Sequence, residues 1–380
     1  MKILIITNLF PNSQESTRGI FNFQQFKALR EQEVVIKVVA PIPWHHFSKM
    51  PFRETIDGFD VYHPRYFIIP KITRALYGLF FFISIFKTVK RLCDEFKPDA
   101  ILATWAYPDA IGSFLCVKIL KKPFFVKVHG SDINLYVKHP LRRAQITYAL
   151  SRSSKVIAVS SALKQRLVEI CVPAEKIAVI PNGVDMDLFK PLDQIECRKK
   201  LGLPLDKKII LYVGNFAQVK GVDILVDAFG ELTRLRNDIL LVLVGAGSLD
   251  KMLCEKVKTL GIEQNIIFAG RTPHDSIRYY MNACDVFCLP SRDEGCPNVV
   301  LEAMACGKPV VGSDVGGIPE LITSTELGIL TKPSDSESLS CALKEAINKQ
   351  WDSVTIRNSI AKFNWEESAL MLKKALEEAL

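Results

Sequence analysis

Ten cysteines are spread over 380 residues, yet no two of them form a C-x-x-C pair. That excludes both a zinc ribbon and a disulfide-framed scaffold. Most of the ten fall inside apolar runs, so the expectation is reduced, core-filling thiols in a cytosolic protein. Cys296 stands apart in a polar loop; it is the one candidate for a reactive thiol, and a small residue without a chemical role is the favoured reading. Long hydrophobic runs are missing as well. The most apolar stretch, 67–91, has an uncharged core of only twelve residues, 75–86, well short of the roughly 18 to 20 that a bilayer requires. The apolar ILIIT after Lys2 is a first strand and too short for a signal peptide. No internal repeat, low-complexity tract or nucleic-acid module is recognisable, and His45-His46 has no third ligand with which to hold a metal.

The chain does hold a steady alternation of strand and helix. It is 48% hydrophobic and 24% charged, with a net charge of +8, a globular composition long enough for two domains. Short apolar runs at 34–41, 60–67, 100–104 and 123–130 are separated by helical or polar segments. Such alternation builds an open parallel sheet. A polar passage from 181 to 208 interrupts it, and KIILYVG restarts it as a second sheet. Between the runs 34–41 and 60–67, residues 41–58 read as one long loop rich in aromatic and basic side chains. A loop of that length is usually functional or mobile. At the end, Trp365, Ala369, Leu370, Leu372 and Leu376 are expected on one helical face.

The whole is organised around residues 290–320, PSRDEGCPNVVLEAMACGKPVVGSDVGGIPE. A buried strand precedes it and a second lies within it, with one helix between. Pro297 suits the start of that helix and Gly307 its stop. Glu294 therefore lies in the strand-to-helix loop, and Glu302 about one turn into the helix. A helix opening at the carboxyl edge of a parallel sheet points unpaired N–H groups into a crevice, which suits a diphosphate. Glutamates accept from hydroxyls instead. Two of them flanking an anion site suggest a ligand with both phosphate and polyol, such as a nucleotide sugar. Gly245-x-Gly247 also follows a strand, but Asp250 stands where a dinucleotide fingerprint needs its third glycine, so a nicotinamide site is not expected.

Glu294-Gly295, with Glu302 eight residues on and the Gly316-Gly317-Ile318-Pro319-Glu320 string beyond, closely resembles the donor-binding signature of family 4 glycosyltransferases. The resemblance covers nearly the whole chain and is tighter in its second half. It implies an α/β protein of GT-B fold, two Rossmann-like doubly wound domains facing a cleft. The first, 1–185, would bind the acceptor and receive the returning helix 365–380; the second, 186–364, would bind the donor. By resemblance Glu294 contacts the donor sugar, Glu302 takes the ribose hydroxyls, and the backbone of Gly295, Asn298, Val299 and Val300 holds the diphosphate. His129, closing a strand before Gly130-Ser131-Asp132, would contact the sugar and its reaction centre. Lys220 would sit against the diphosphate, and Gly270-Arg271 would meet the base. Asn215 occupies the place of the family's usual arginine, and Arg18-Gly19 that of its paired glycines, with Gly19 at the mouth of a helix.

These matches imply a retaining, metal-independent transferase that uses no cofactor beyond its nucleotide diphosphate sugar donor. The acceptor would be a glycan or a lipid-linked glycan of the cell surface, with no role for nucleic acid. Two alternatives share the architecture: a nucleotide-sugar epimerase, and a binding-only relative without activity. The stretch 67–91 is flanked by Arg65, Lys71, Arg74, Lys87, Lys90 and Arg91 with no acidic residue among them. That fits an interfacial contact with anionic lipid, and so a cytoplasmic protein at the inner face of the membrane. A buried helix with exposed basic ends is the competing reading.

Overall fold

In a computed structural model, residues 1–44, 50–67 and 76–380 are described. They form two compact units, Met1–Gly183 with Trp365–Leu380, and Val184–Asn364. His45, His46, Lys71 and Arg74 lie outside the described residues.

The first unit holds ten strands: β1 (Lys2–Ile6), β2 (Val35–Val39), β3 (Ile42–Pro43), β4 (Arg53–Ile56), β5 (Phe59–Tyr62), β6 (Arg65–Tyr66), β7 (Ala100–Thr104), β8 (Phe124–Val128), β9 (Lys155–Ala158) and β10 (Ile177–Val179). Eight of them make one sheet in the order β10-β9-β8-β7-β1-β2-β5-β4, parallel except for the last pair. β7 and β8 are buried along their whole length, as a parallel sheet covered on both faces requires.

The second unit has β11 (Lys208–Val213), β12 (Ile239–Val244), β13 (Ile266–Gly270), β14 (Val286–Leu289), β15 (Val310–Ser313) and β16 (Gly328–Thr331). Their order, β13-β12-β11-β14-β15-β16, is parallel throughout. This order reverses direction between β11 and β14, and such a switch point opens a crevice at the carboxyl ends of the strands. The first unit has the same feature between β1 and β7.

Three expectations need correction. Residues 41–58 are not one structureless loop, because β4 and β5 form an antiparallel hairpin there. Asp57 and Gly58 turn it with φ of 46° and 78°, the Asp-Gly pair that a two-residue turn of this hand favours. Leu370 leaves the buried face of the last helix, Trp365–Glu377, at 52% exposure, and Ser368 and Ala375 join Trp365, Ala369, Leu372 and Leu376 inside. Cys171, Cys254 and Cys341 are exposed, so the thiols are not uniformly core-filling.

That last helix packs on the helix Ile20–Glu31 within the first unit. Gln25 is the link: its amide donates to Ser368 Oγ at 2.9 Å, and its carbonyl accepts from the fully buried Lys127 at 2.7 Å. Lys127 also reaches Asn182 Oδ1 at 3.1 Å, and Ser368 donates to Pro181 O. A buried ammonium needs such acceptors around it.

The apolar part of 67–91 lies in a helix over Tyr77–Phe96, with Phe81, Ile85, Val89 and Leu92 fully buried. The buried reading thus describes one face. Leu76, Leu79 and Ile83 on the other face are exposed by 51%, 45% and 62%. The basic flank is partly engaged: Lys90 pairs with Asp94, Arg65 donates to Met50 O, and Arg91 sits over the rings of Phe52 and Tyr62.

Candidate active site

In the second unit the loop after β11 meets the loop after β14, across the switch point. Lys220 ends a single turn of 3-10 helix, Gln218–Lys220. Its Nζ lies 2.7 Å from Glu294 Oε1, which also accepts from Ser291 Oγ at 2.7 Å. The carboxylate is 7% exposed and the ammonium 31%, so a positive group sits at the rim of a nearly closed pair. The loop is held from behind. Arg292 grips Asp223 through two contacts of 2.8 Å, and its N–H donates to Val219 O; a forked guanidinium–carboxylate contact of this kind fixes geometry as well as charge. Gly316, φ 54°, brings the next loop so close that a Cβ there would lie 2.0 Å from Glu294 O. This explains one glycine of the Gly316-Gly317 string by packing against the catalytic-site candidate itself.

Glu302 lies in the helix Asn298–Ala305 and is 5% exposed. Its Oε1 is 3.0 Å from His274 Nε2, while Oε2 is buried with no protein partner. Burial opposes a charge on His274, but the hydrogen bond and the charge of Glu302 outweigh it and raise the imidazole pKa. Sequence reasoning missed His274. It stands alone in a short turn, with no spacing to connect it to a glutamate 28 residues on.

The other expected residues of this unit are placed as follows. Gly295 is buried in the same loop as Glu294, and Asn298 and Val299 open the helix. The Val300 N–H is already taken by Pro297 O at 3.0 Å, which removes it from the donor set for an anion. Asn215 is exposed after β11 and its carbonyl accepts from Tyr212 Oη. Gly270 ends β13 and accepts from Gly245 N–H, and Arg271 beside it is exposed. Gly247 N–H donates to Asp250 Oδ1 at 2.7 Å. The residue that breaks the dinucleotide fingerprint therefore also occupies a donor that a pyrophosphate would use.

In the first unit, the loops after β1 and β7 are joined by Asn8 N–H donating to Asp109 Oδ2 at 2.8 Å. Asp109 is fully buried, and burial raises its pKa well above the usual carboxylate range. His129 follows β8. Its ring packs 4.7 Å from Phe21 and stacks at 6.1 Å on Trp105, whose own φ of 132° is strained. Both ring nitrogens are buried without a protein partner. Burial, with the nearby Lys127 charge, pushes the pKa well below the ordinary value, so the imidazole is neutral. Asp132 fixes the backbone there by accepting from His129, Gly130 and Ala106 N–H. Burial pushes its pKa up to about 6, those hydrogen bonds opposing. Gly19 caps the helix Ile20–Glu31 at φ 60°, and a Cβ there would lie 2.2 Å from Leu9 O; this close turn requires glycine by itself. Arg18 is held by Asn8 O and Glu15.

Among the described residues no group of three or more His, Cys, Asp or Glu is arranged to hold a metal ion, and no helix is long and apolar enough to cross a membrane.

Two doubly wound units, each with polar and charged side chains gathered at its switch point, define the GT-B fold. The profile of glycosyl transferases group 1 matches residues 193–363, and that of glycosyltransferase family 4 matches residues 23–188. The chain belongs to that family. TuaC of Bacillus subtilis, a protein named for teichuronic acid biosynthesis, is 30% identical over 367 residues, 92% of this chain and 90% of that protein. The N-acetyl-alpha-D-glucosaminyl L-malate synthase of Bacillus anthracis is 29% identical over 88% of this chain and 85% of its own length. Among solved structures, sucrose-phosphate synthase from Thermosynechococcus elongatus superposes with a TM-score of 0.81 at 21% identity, covering 100% of this chain and 98% of that one. Anabaena HepE in complex with UDP-glucose gives 0.77 at 22% identity, with both chains fully covered.

Proposed function

We propose that the protein is a retaining, metal-independent glycosyltransferase that moves a sugar from a nucleotide diphosphate sugar to an acceptor bound by its first unit. The observation that carries this reading is the Lys220–Glu294 contact across the switch point, with Glu302 on the helix that follows. As the bond from the anomeric carbon to phosphate oxygen breaks, negative charge grows on the leaving diphosphate. A fixed ammonium at Lys220 and the positive end of the helix Asn298–Ala305 would stabilise that charge. Glu294 accepts from donor-sugar hydroxyls and Glu302 from ribose. Neutral His129, in the first unit, can offer a ring N–H or accept one without adding charge. For retention, the acceptor attacks from the face that the diphosphate leaves, and a phosphate oxygen takes the acceptor's proton.

A lipid-linked glycan is the acceptor class we favour. On the first unit a groove of about 440 Å³ is lined by Leu76, Leu79, Ile111, Phe114, Leu115 and Tyr148, with Ile83 and Leu141 exposed nearby. Lys87 and Arg143 are exposed on the same helices, and Arg152 covers the ring of Tyr148. Apolar surface edged with cations suits the face of an anionic bilayer. TuaC's name is in keeping with work on a cell-surface polymer. A thermal-shift series with UDP-, GDP- and ADP-sugars tests the donor half. Free ligand at 100 times its dissociation constant stabilises by about 2.7 kcal/mol, and no shift with any of them sinks the reading.

A further inference from the structure

We infer that His274 is a positioning residue for the nucleotide's ribose, acting through Glu302 and not by touching the ligand. The inference rests on the donor-site reading of Glu302. That carboxylate is 5% exposed and has two oxygens of unlike surroundings: Oε1 is engaged by His274 Nε2 at 3.0 Å, while Oε2 is buried and has no protein partner. An ionised carboxylate withdrawn from water without compensation would turn away or take up a proton. In either state it would no longer accept two hydroxyl protons. His274 supplies the compensation at one oxygen and thereby leaves the other as the acceptor.

Its own placement is well determined. The imidazole belongs to a single 3-10 turn, His274–Ser276, that follows β13, and its ring meets Phe189 edge to face at 5.3 Å. Asp185 and Asp275 add negative charge beside it and favour the protonated form, in which Nε2 carries a proton toward Glu302. A vicinal diol presents two donors on adjacent carbons. Oε2, left unpaired while Oε1 is pinned, has two lone pairs with which to meet that pattern.

Calorimetric titration of the full chain with UDP, GDP and ADP, and with the 2′,3′-dideoxy counterpart of each, separates this role from a merely structural one. Wild type should prefer the ribose form of its own nucleotide by roughly 10-fold or more. His274→Phe keeps a ring against Phe189 but removes the donor; it should bring that preference to within about 3-fold while leaving affinity for the dideoxy form nearly unchanged. His274→Gln, with a donating amide, should restore part of it. If His274→Phe does not fold, His274→Asn, too short to reach Glu302, replaces it. Full ribose preference in a folded variant lacking the donor overturns the inference and leaves the donor reading intact. A wild type that binds ribose and dideoxy forms equally overturns the ribose role of Glu302, and this inference with it.

Discussion

Lys220 Nζ lies 2.7 Å from Glu294 Oε1 although the two residues are 74 positions apart, one after the first strand of its sheet and the other after the fourth. The pair closes the switch point of the second unit. Its carboxylate is nearly buried and also holds Ser291, so the lysine is oriented before any ligand arrives. Preorganised charge of this kind acts most strongly where charge develops during reaction.

Lys220→Ala should therefore lower turnover by roughly 100- to 1,000-fold and weaken donor binding far less. Steady-state kinetics alongside titration of the free nucleotide diphosphate measures the two separately. Weakened binding with turnover intact would make Lys220 a ground-state anchor only.

Glu302→Ala should weaken nucleotide diphosphate binding by about 1.5 to 3 kcal/mol, the range for hydrogen bonds to a charged group. Titration calorimetry reads this directly, and unchanged affinity would remove Glu302 from the site.

His129 and His274 should titrate in opposite directions. His129 is held neutral by burial and Lys127, so its ring protons in NMR should show no transition until well below pH 6.5, while His274 should titrate above the ordinary value. The stability consequences differ in sign. For His129 the unfolded chain binds a proton that the folded one refuses, so stability is lost as pH falls below the unfolded value near 6.5. For His274 the folded form binds more tightly, so its contribution is full below that value and fades as pH rises through the raised pKa. His129→Phe should remove the acid-side loss, and coincident titration of both rings would contradict the two environments.

Leu79 and Ile83 are exposed, so Leu79→Ser with Ile83→Ser should leave thermal stability within about 0.5 kcal/mol per site. Sedimentation with anionic vesicles should fall for that variant and for Lys87→Gln with Arg143→Gln, and the wild-type interaction should weaken as salt shortens the reach of exposed charges to about 8 Å. Wild-type protein that does not sediment at low salt would set lipid docking aside.

Much of the fold was legible because parallel strands write themselves as short, fully apolar runs, as in β7 (AILAT) and β12 (ILLVLV). The alternation with helices then leaves few topologies. The hairpin β4–β5 was less visible, since RETI and FDVY lie at a sheet edge with mixed burial; only Asp57-Gly58 signalled the turn. At the site, spacing within 290–320 located Glu294 and Glu302 on their loop and helix. Partners distant in sequence carry no such mark. His274 against Glu302, Gln25 against Lys127, and the two aromatic rings beside His129 depend on how strands are ordered, which no local pattern records. Leu370 differs for a simpler reason: a leucine with good helical spacing can stand at the margin of an apolar face, and at 52% exposure Leu370 lies outside the buried one.

The most direct test of the central claim is proton NMR of the anomeric signals while the protein is incubated with the nucleotide sugar that stabilises it most, with and without a lipid-linked glycan acceptor. The account predicts release of the nucleoside diphosphate with a new glycosidic signal of the same anomeric configuration as the donor, slowed strongly in Lys220→Ala. A product of inverted configuration would contradict retention. An epimerised donor without release, or a bound donor that stays unchanged through prolonged incubation with acceptor, would contradict glycosyl transfer itself.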